Sequence, residues 1–579
     1  MELSHFGAKV LFPPTIKPSL EKGIPIWIRN TFNPNGSGTL ITRESSPVDT
    51  PVLGISLLDQ VALVRIQGSG MVGVAGFSSR LFGALAGQHI NIILITQSSS
   101  EYSICFAILP HDMAAAETAI DEEFMWEIES GLIEEPVAEG EFAIIAVVGS
   151  KMKSSPGVSG KFFHALGKNS VNITAIAQGS SELNISAVIS REDTEKAVNA
   201  VHEAFFLSTT RTVNLFLVGI GLIGGTLLEQ IAANQEMLAK QHRIRVNLIG
   251  AANSRHMTFK REGLAPRTVK DLLKNTISEP GQGFGTADFA VERFDIDAYI
   301  KTIKKMNLPN TAFCDCTASP VIAERYLELL NSAIPVITPN KRANSDSFEY
   351  YQALTTAARE RGTPYLYEVT VCAGLPVIST LRDLFLSGDK VRRIEAVLSG
   401  TLSFIFNNFD GSKSFSELVR EAKAKGYTEP DPRDDLNAMD AARKALILAR
   451  ECGIALEFNQ VAIEPILPPA CFEAKTVDSF FEELQKHDGG FESRRKEAAE
   501  EGKALCYVAI IEDGSARLSL RSEPPNSPFR SLVDSDNIVV ITSDRYSKLP
   551  MVIKGPGAGA QVTAGGVFAD IVRIARTLV

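Results

Sequence analysis

The sequence predicts a multidomain chain that combines α/β with α+β units. Three observations carry that expectation. A length of 579 residues allows about three to five domains at roughly 100 to 200 residues each. A short βαββα pattern occurs twice in the first third, and farther on a compact apolar strand runs into a glycine turn and a helix. With 45% hydrophobic and 22% charged residues, the composition is that of an ordinary globular protein with enough apolar surface to bury several cores. The net charge of −10 and the lack of a long basic run exclude nucleic acid as the expected partner. No apolar run approaches the roughly 18 residues of a membrane span, and the first residues lack a signal peptide's basic and apolar regions. A cytoplasmic protein with no membrane partner is therefore expected. Seven scattered cysteines predict no disulfide framework, and Cys314 and Cys316, a lone C-x-C without a second ligand pair, read as strand residues, with a zinc site the remote alternative.

The repeat comes first. His89-Ile90-Asn91-Ile92 followed by Ile95-Thr96-Gln97-Ser98 recurs as Ser170-Val171-Asn172-Ile173 followed by Ile176-Ala177-Gln178-Gly179, an offset of 81 residues that also aligns Phe82 and Leu85 with Phe163 and Leu166. Each copy reads as strand (61–67; 142–148), helix (76–87; 157–168), strand, polar turn, strand (102–109; 183–189) and helix (111–127; 192–206), an order that predicts helices on one face of an antiparallel sheet. These residues resemble the ACT domain, a ferredoxin-like regulatory module found in pairs behind aspartate kinases, over 55–132 and 138–208. The resemblance implies that Gln97 and Gln178 contact an amino-acid effector, threonine being expected and lysine the alternative. Read by themselves, both glutamines also fit simple strand ends. Upstream, residues 1–50, with Ile24-Pro25-Ile26-Trp27-Ile28, resemble the last helix and strand of an aspartate kinase catalytic domain. Neither a Lys-Phe-Gly-Gly loop nor G-x-x-x-x-G-K-[ST] occurs, since Gly160-Lys161 is followed by Phe162. Met1 is accordingly expected to fall inside a kinase domain, and no phosphoryl transfer is expected from this chain.

Over 211–341 the pattern is that of a dinucleotide-binding Rossmann unit. Val213 to Val218 is an apolar strand ending at Gly219-Ile220-Gly221-Leu222-Ile223-Gly224, and 226–233 reads as a helix. In that context Gly219 permits a tight turn, Gly221 lets the backbone approach a pyrophosphate and Gly224 packs helix on strand. The N–H groups of Leu222, Ile223 and their neighbours then face the phosphates. A second strand, 244–250, ends in Ala251-Ala252-Asn253-Ser254-Arg255, without the acid that usually holds a ribose 2′-hydroxyl. Ser254 and Arg255 therefore favour NADP(H) over NAD(H), Arg255 by a charge-assisted bond to a 2′-phosphate. Strands at 311–316 and 334–338 lead into two further polar loops at strand carboxyl ends, Thr317-Ala318-Ser319-Pro320 and Pro339-Asn340-Lys341-Arg342, both expected to face the cofactor.

The most informative stretch is Gly426 to Lys444. Four carboxylates between Glu429 and Asp435, spaced by two prolines, repel one another unless a cation or an ammonium substrate compensates. A helix is predicted to follow, capped by Asp435 or Asn437, on which Asp440 and Lys444 share a face. A lysine held by an aspartate at the mouth of an acidic loop suits proton donation to a carbonyl that receives hydride. Spacing alone fits an exposed ion pair as well.

The glycine fingerprint, Asp315-Cys316-Thr317-Ala318-Ser319, Thr338-Pro339-Asn340-Lys341, Glu368-Val369-Thr370-Val371-Cys372-Ala373-Gly374-Leu375-Pro376, Ser399-Gly400-Thr401 and the acidic stretch ending in Lys444 together resemble homoserine dehydrogenase over 212–579. With the paired ACT modules, the chain resembles the C-terminal part of the bifunctional aspartate kinase/homoserine dehydrogenases. The resemblance implies an α+β catalytic and dimerisation domain over 342–550, a return to the nucleotide domain over 551–579 that brings Gly559 to the cofactor, and a homodimer or homotetramer. It implies reduction of aspartate 4-semialdehyde to homoserine. Lys444 is then the catalytic lysine, Asp440 and Glu429 hold the substrate's amino and hydroxyl ends, Gly400, Thr401, Tyr427 and Asp435 line its site, and Lys341 lies between nicotinamide and substrate. It also implies a structural sodium ion at Glu368 and the carbonyls of Val371, Ala373 and Leu375. The competing expectation is an amino-acid sensor whose dehydrogenase half is inactive.

Overall fold

Fourteen consecutive residues, Gly54–Gln67, form the strand that joins the two repeats. The structure, a computed structural model, describes residues 18–19, 21–42, 51–149, 151–179, 183–206, 210–274 and 291–577, so the expected kinase-like helix near the N-terminus lies outside the described residues. The chain divides into two compact units, the first residues 1–209 with 307–310 and the second residues 210–306 and 311–578.

The first unit opens with a hairpin of β1 (Ile26–Ile28) and β2 (Thr39–Ile41). The repeat follows as β3 (Gly54–Gln67), α1 (Phe77–Gly87), β4 (Leu94–Gln97), β5 (Ser103–Ile108) and α2 (Met113–Glu123), then β6 (Val137–Val148), α3 (Val158–Lys168), β7 (Ile173–Gln178), β8 (Asn184–Ser190) and α4 (Thr194–Phe205). All six strands share one antiparallel sheet in the order β4-β5-β3-β6-β8-β7. Strand alternation sorts the side chains: Ala62, Val64 and Ile66 of β3 pack under Phe77, Leu81 and Leu85 of α1, whereas Val61 and Leu63 face the other way. That second face is also buried, because Leu94 from one repeat and Ala175 from the other join the same cluster. The helix expected over 111–127 is interrupted at Phe124, whose ring turns into the core and stacks on Phe77 with centroids 4.6 Å apart. A short separate helix, Met125–Glu129, follows it.

The second unit holds a seven-stranded sheet of β9 (Arg211–Val218), β10 (Ile244–Ala252), β11 (His256–Phe259), β12 (Val291–Arg293), β13 (Thr311–Asp315), β14 (Val336–Ile337) and β15 (Tyr365–Leu366), ordered β12-β11-β10-β9-β13-β14-β15. Strands β10, β9, β13, β14 and β15 are parallel. Central β9 has β10 on one side and β13 on the other, so connections diverge at its carboxyl end, where open α/β sheets bind ligands. The helix after β9, α5 (Leu222–Met237), begins earlier and runs farther than the pattern suggested. After α6 (Val377–Leu386), a six-stranded sheet of β16 (Val391–Val397), β17 (Ala462–Ile463), β18 (Ala504–Glu512), β19 (Ser515–Glu523), β20 (Asp536–Ser543) and β21 (Met551–Pro556) carries α7 (Gly400–Asn407) and α8 (Met439–Glu451) against one face. The last helix, α9 (Ala560–Thr577), returns to the first sheet: its Val567, Ile571 and Ile574 share a core with Leu215 of β9 and Leu227 of α5. Among the described residues no helix is long and apolar enough to cross a membrane.

Candidate active site

Close packing requires two of the three fingerprint glycines. Gly219 sits at φ +91°, and a Cβ there would stand 2.6 Å from Thr317 Cγ2. A Cβ on Gly224 would lie 2.0 Å from the Gly219 carbonyl oxygen. Gly221 differs, since a Cβ there would meet no protein atom within 4 Å. It borders open space at the cap of α5, where no side chain caps the helix and the first-turn N–H groups, those of Leu222 and Ile223 among them, have no intrahelical acceptors. The ammonium of Lys270 approaches the same turn, 2.8 Å from where a Cβ on Gly225 would be. A cation beside the positive end of a helix is repelled unless an anion joins it. Sequence reading passed over Lys270 because it belongs to no motif; its signal was only a lone lysine at the start of a short helix.

At the end of β10, Asn253 Oδ1 accepts the N–H groups of Arg255 (2.8 Å) and His256 (2.7 Å), a tight turn that leaves Ser254 and Arg255 exposed. Beyond β13, Thr317 N donates to Asp315 Oδ1 (2.7 Å) and Ser319 N to Thr317 Oγ1 (3.1 Å), which shapes that loop. Gly559, at φ +109°, leads into α9, whose Gln561 receives the Gln230 side chain of α5 at 2.9 Å.

The structure brings Lys341, Asp440 and Lys444 together. Asp440 Oδ1 lies 3.3 Å from Lys341 Nζ and Oδ2 lies 3.0 Å from Lys444 Nζ, so one carboxylate bridges two ammoniums. Lys444 is 8% exposed and also donates to the Leu398 carbonyl at 2.7 Å. The two lysines are pushed in opposite directions. Burial disfavours the Lys444 charge, but Asp440, with Cys372 and Asp435, outweighs it and the pKa is raised. At Lys341 burial, reinforced by the neighbouring Lys444 charge, prevails over Asp440 and the pKa is lowered. Asp440 keeps about half its side chain exposed; the partial enclosure works against its charge, but Lys444 and Lys341 outweigh it and hold the carboxyl far below the usual carboxylate range.

Helix α8 begins later than the spacing suggested. Its cap is Ala438, at φ +57°, and neither Asp435 nor Asn437 occupies that position. Asn437 contributes by accepting the Met439 N–H at 2.8 Å. Asp435 instead accepts Thr401 Oγ1–H (2.9 Å) and Glu429 N–H (2.7 Å), tying the start of α7 to the acidic loop. The Thr401 hydroxyl also reaches the Tyr427 carbonyl, and the Tyr427 ring packs on Phe404. Gly400 lies close under Ser535, whose carbonyl would stand 3.0 Å from a Cβ there. The acidic loop needs less compensation from a ligand than its charge suggested, because Arg433 pairs with Asp431. Glu429 is left exposed. Cys372, to which the sequence assigned no role beyond its place in the Glu368–Pro376 motif, is buried at φ +57°, with Asn537 Nδ2 3.6 Å from its sulfur.

Glu368 is buried, accepting the N–H groups of Ile378 (2.7 Å) and Ser379 (3.0 Å) and pairing with Arg573 (3.2 Å). Asp570, 1% exposed, shares that guanidinium at 2.7 Å. Burial, opposed by Arg573 and assisted by Glu368, raises the Asp570 pKa to about 6. An unfolded aspartate loses its proton near pH 4, so between about pH 4 and 6 the native state holds the extra proton and stability falls as pH rises. Relative to wild type, Asp570→Asn is expected to gain on the order of 2 kcal/mol in urea unfolding between pH 4 and pH 7. A pH-independent difference would contradict this. Among the described residues no cluster of His, Cys, Asp and Glu has metal-site geometry. Gln97 and Gln178 end β4 and β7, both exposed, the latter within 3.4 Å of Ser159 Oγ.

Comparison with known proteins follows the same divisions. Residues 376–572 match the family described as homoserine dehydrogenase, residues 219–368 match its NAD binding domain, and residues 64–124 and 145–205 each match an ACT domain, at the spacing of the repeat. The chain is 42% identical over 582 residues to the chloroplastic bifunctional aspartokinase/homoserine dehydrogenase 1 of Arabidopsis thaliana, an alignment covering 99% of this chain and 62% of that protein. It is 40% identical over 573 residues to the bifunctional aspartokinase/homoserine dehydrogenase of Haemophilus influenzae, covering 99% of this chain and 68% of that protein. A crystal structure of a Candida auris protein of unknown function aligns with a TM-score of 0.56 at 32% identity, covering 64% of this chain and 99% of that one. The chain thus spans about two thirds of the length of the curated relatives it matches.

Proposed function

Because the chain belongs to the homoserine dehydrogenase family, with an NAD-binding domain and paired ACT domains, we propose that it catalyses the reversible, NADPH-linked reduction of L-aspartate 4-semialdehyde to L-homoserine. The observation that carries this reading is the Lys341–Asp440–Lys444 bridge at the carboxyl-end loops of the nucleotide sheet. A bound nicotinamide supplies the hydride. The protein's share is the proton: two of the three Lys444 N–H bonds are directed at Leu398 O and Asp440, which leaves one for the developing alkoxide. The raised Lys444 pKa keeps the acid form in place for reduction, whereas oxidation of homoserine needs the neutral amine and gains from alkaline pH. Asp440 is committed to the two lysines, so the exposed Glu429 is the acid available to the substrate ammonium. This engaged bridge also favours a working enzyme over a sensor with an idle dehydrogenase half. In the test, purified chain, NADPH and aspartate semialdehyde are mixed and nicotinamide absorbance followed; no loss of absorbance overturns the proposal.

Ser254 and Arg255, with no acid beside them in sequence, support NADP(H) as the preferred cofactor, while Lys270 at the first turn of α5 suits the pyrophosphate of either nucleotide. A charge-assisted hydrogen bond contributes roughly 1.5 to 3 kcal/mol. Removing it through a Ser254→Ala/Arg255→Ala pair is thus expected to raise the KM for NADPH about tenfold or more and leave that for NADH within twofold. An unchanged NADPH preference would refute the assignment.

A monovalent cation, sodium in this reading, would be held chiefly by the backbone of the 371–375 turn. Consecutive non-glycine residues there, Cys372 and Ala373, both adopt positive φ, and the Glu368 carboxylate is already neutralised by Arg573. Its contribution would be to the shape of the turn. Threonine is the effector this reading assigns to the ACT pair, supported by the equivalent, exposed positions of Gln97 and Gln178 on the edge strands. A homodimer or homotetramer belongs to the same reading.

A further inference from the structure

Asp315 is the last residue of β13, its side chain is 0% exposed, and none of the hydrogen-bond partners of its carboxylate is charged. Oδ1 accepts Thr317 N–H at 2.7 Å. Oδ2 accepts the Tyr326 hydroxyl (2.5 Å) and Asn340 Nδ2 (2.9 Å). Asn340 Nδ2 donates in turn to the Ser319 carbonyl (2.9 Å), and Asn340 Oδ1 accepts Arg342 N–H (3.1 Å). The Asp315 carbonyl accepts the Thr338 hydroxyl (3.0 Å), whose oxygen also receives Asn340 N–H (2.8 Å). These bonds link the ends of two adjacent parallel strands and, through Thr317, the glycine turn, since Thr317 Cγ2 stands closest to the Cβ position of Gly219.

A buried carboxylate without a cationic partner is costly. What it offers is acceptor capacity on both oxygens: three donors from three directions converge here, and no neutral side chain of this size accepts all three. An asparagine at 315 would turn an NH2 group toward Asn340 or Thr317, donor against donor.

We propose that Asp315 is a positioning residue for the reaction: through Asn340 and Thr317 it clamps the 317–319 loop and Lys341 in one fixed relation to each other at the cofactor site. The inference rests on the proposed function, since it assigns both loops to the nicotinamide nucleotide. It accounts for a buried charge that the chemistry itself does not use, and for the Lys341 loop being held from beneath by a side chain at the end of the adjacent strand. Tyr326 provides the internal control, because it touches the carboxylate from a separate helix, Tyr326–Asn331, and contacts neither loop beyond the base at Thr338.

The experiment compares Asp315→Asn, Asn340→Ala and Tyr326→Phe in the full chain, measuring NADPH dissociation by nucleotide fluorescence, kcat and KM for semialdehyde reduction, and the thermal midpoint. A displacement of reacting groups by about 1 Å costs roughly 10²-fold. Asp315→Asn and Asn340→Ala are expected to lower kcat/KM by about that factor, with weaker NADPH binding, while Tyr326→Phe lowers the midpoint and leaves NADPH dissociation within twofold. Asn340→Ala keeps the test open if Asp315→Asn does not fold. If Asn340→Ala, or a folded Asp315→Asn, binds and reduces like wild type, the clamp is overturned and the proposed function stands. Wild type that binds no NADPH overturns both.

Discussion

Lys444→Ala is expected to lower kcat for aspartate semialdehyde reduction by about 10²- to 10⁴-fold, the range in which a positioned general acid contributes, while KM for NADPH changes little. Lys444 is the buried member of the bridge, its ammonium is held from two sides, and Asp440 keeps it charged. Lys444→Arg separates charge from proton transfer: a guanidinium keeps the positive charge but does not release its proton near neutral pH. Arginine is therefore expected to bind substrate and still fail to turn over. Wild-type kcat in either variant would remove Lys444 from the mechanism. The pH profile adds a second check. Reduction by wild type should hold its rate past the ordinary lysine range, because the acid form persists above it, whereas homoserine oxidation should climb over the same interval.

The second large effect divides the glycine fingerprint by function. Gly224→Ala places a methyl group 2.0 Å from the Gly219 carbonyl oxygen, backbone against backbone, in a helix–strand contact that has no room to give. Loss of roughly 3 kcal/mol or more is expected, in the range reached by overpacked cores, and would be read as a fall in urea midpoint or as insoluble protein. Gly221→Ala meets nothing in the protein. Stability is expected to stay within about 0.5 kcal/mol of wild type, with NADPH binding lost because the methyl occupies the phosphate approach. If both variants were equally unstable, the cofactor would not be the reason for glycine at 221.

Local patterns were legible because they depend on neighbours in sequence. The repeat appears in the alternating strand residues and in the spacing of Phe82 and Phe163, Gln97 and Gln178. The fingerprint is readable because a strand, a turn and a helix are contiguous there. The Asp440–Lys444 pair is one helical turn, and the structure holds it at 3.0 Å. Boundaries read less well where a tertiary contact overrode propensity. Phe124 breaks a helix to reach Phe77, and Ala438 takes a left-handed cap position that alanine would not choose unaided. The acidic loop was misjudged for a related reason, since the side-chain direction that lets Arg433 neutralise Asp431 is not visible in a list of charges.

Read alone, the chain specifies a set of parts: a doubled ACT module, a parallel nucleotide-binding sheet, and a helix presenting a lysine with its aspartate. Which parts meet depends on how the sheets and helices pack. Lys341 reaches Asp440 across 99 positions, Asn340 and Asp315 join through the adjacency of β13 and β14, and Lys270 comes to rest on the first turn of a helix far upstream. The physical reason is that strand order and helix packing fix such approaches. Those depend on the burial of whole faces, whereas a motif is defined by a few consecutive residues, so the contacts of Lys341 with Asp440 and of Asp315 with Asn340 exist only once the sheet has formed.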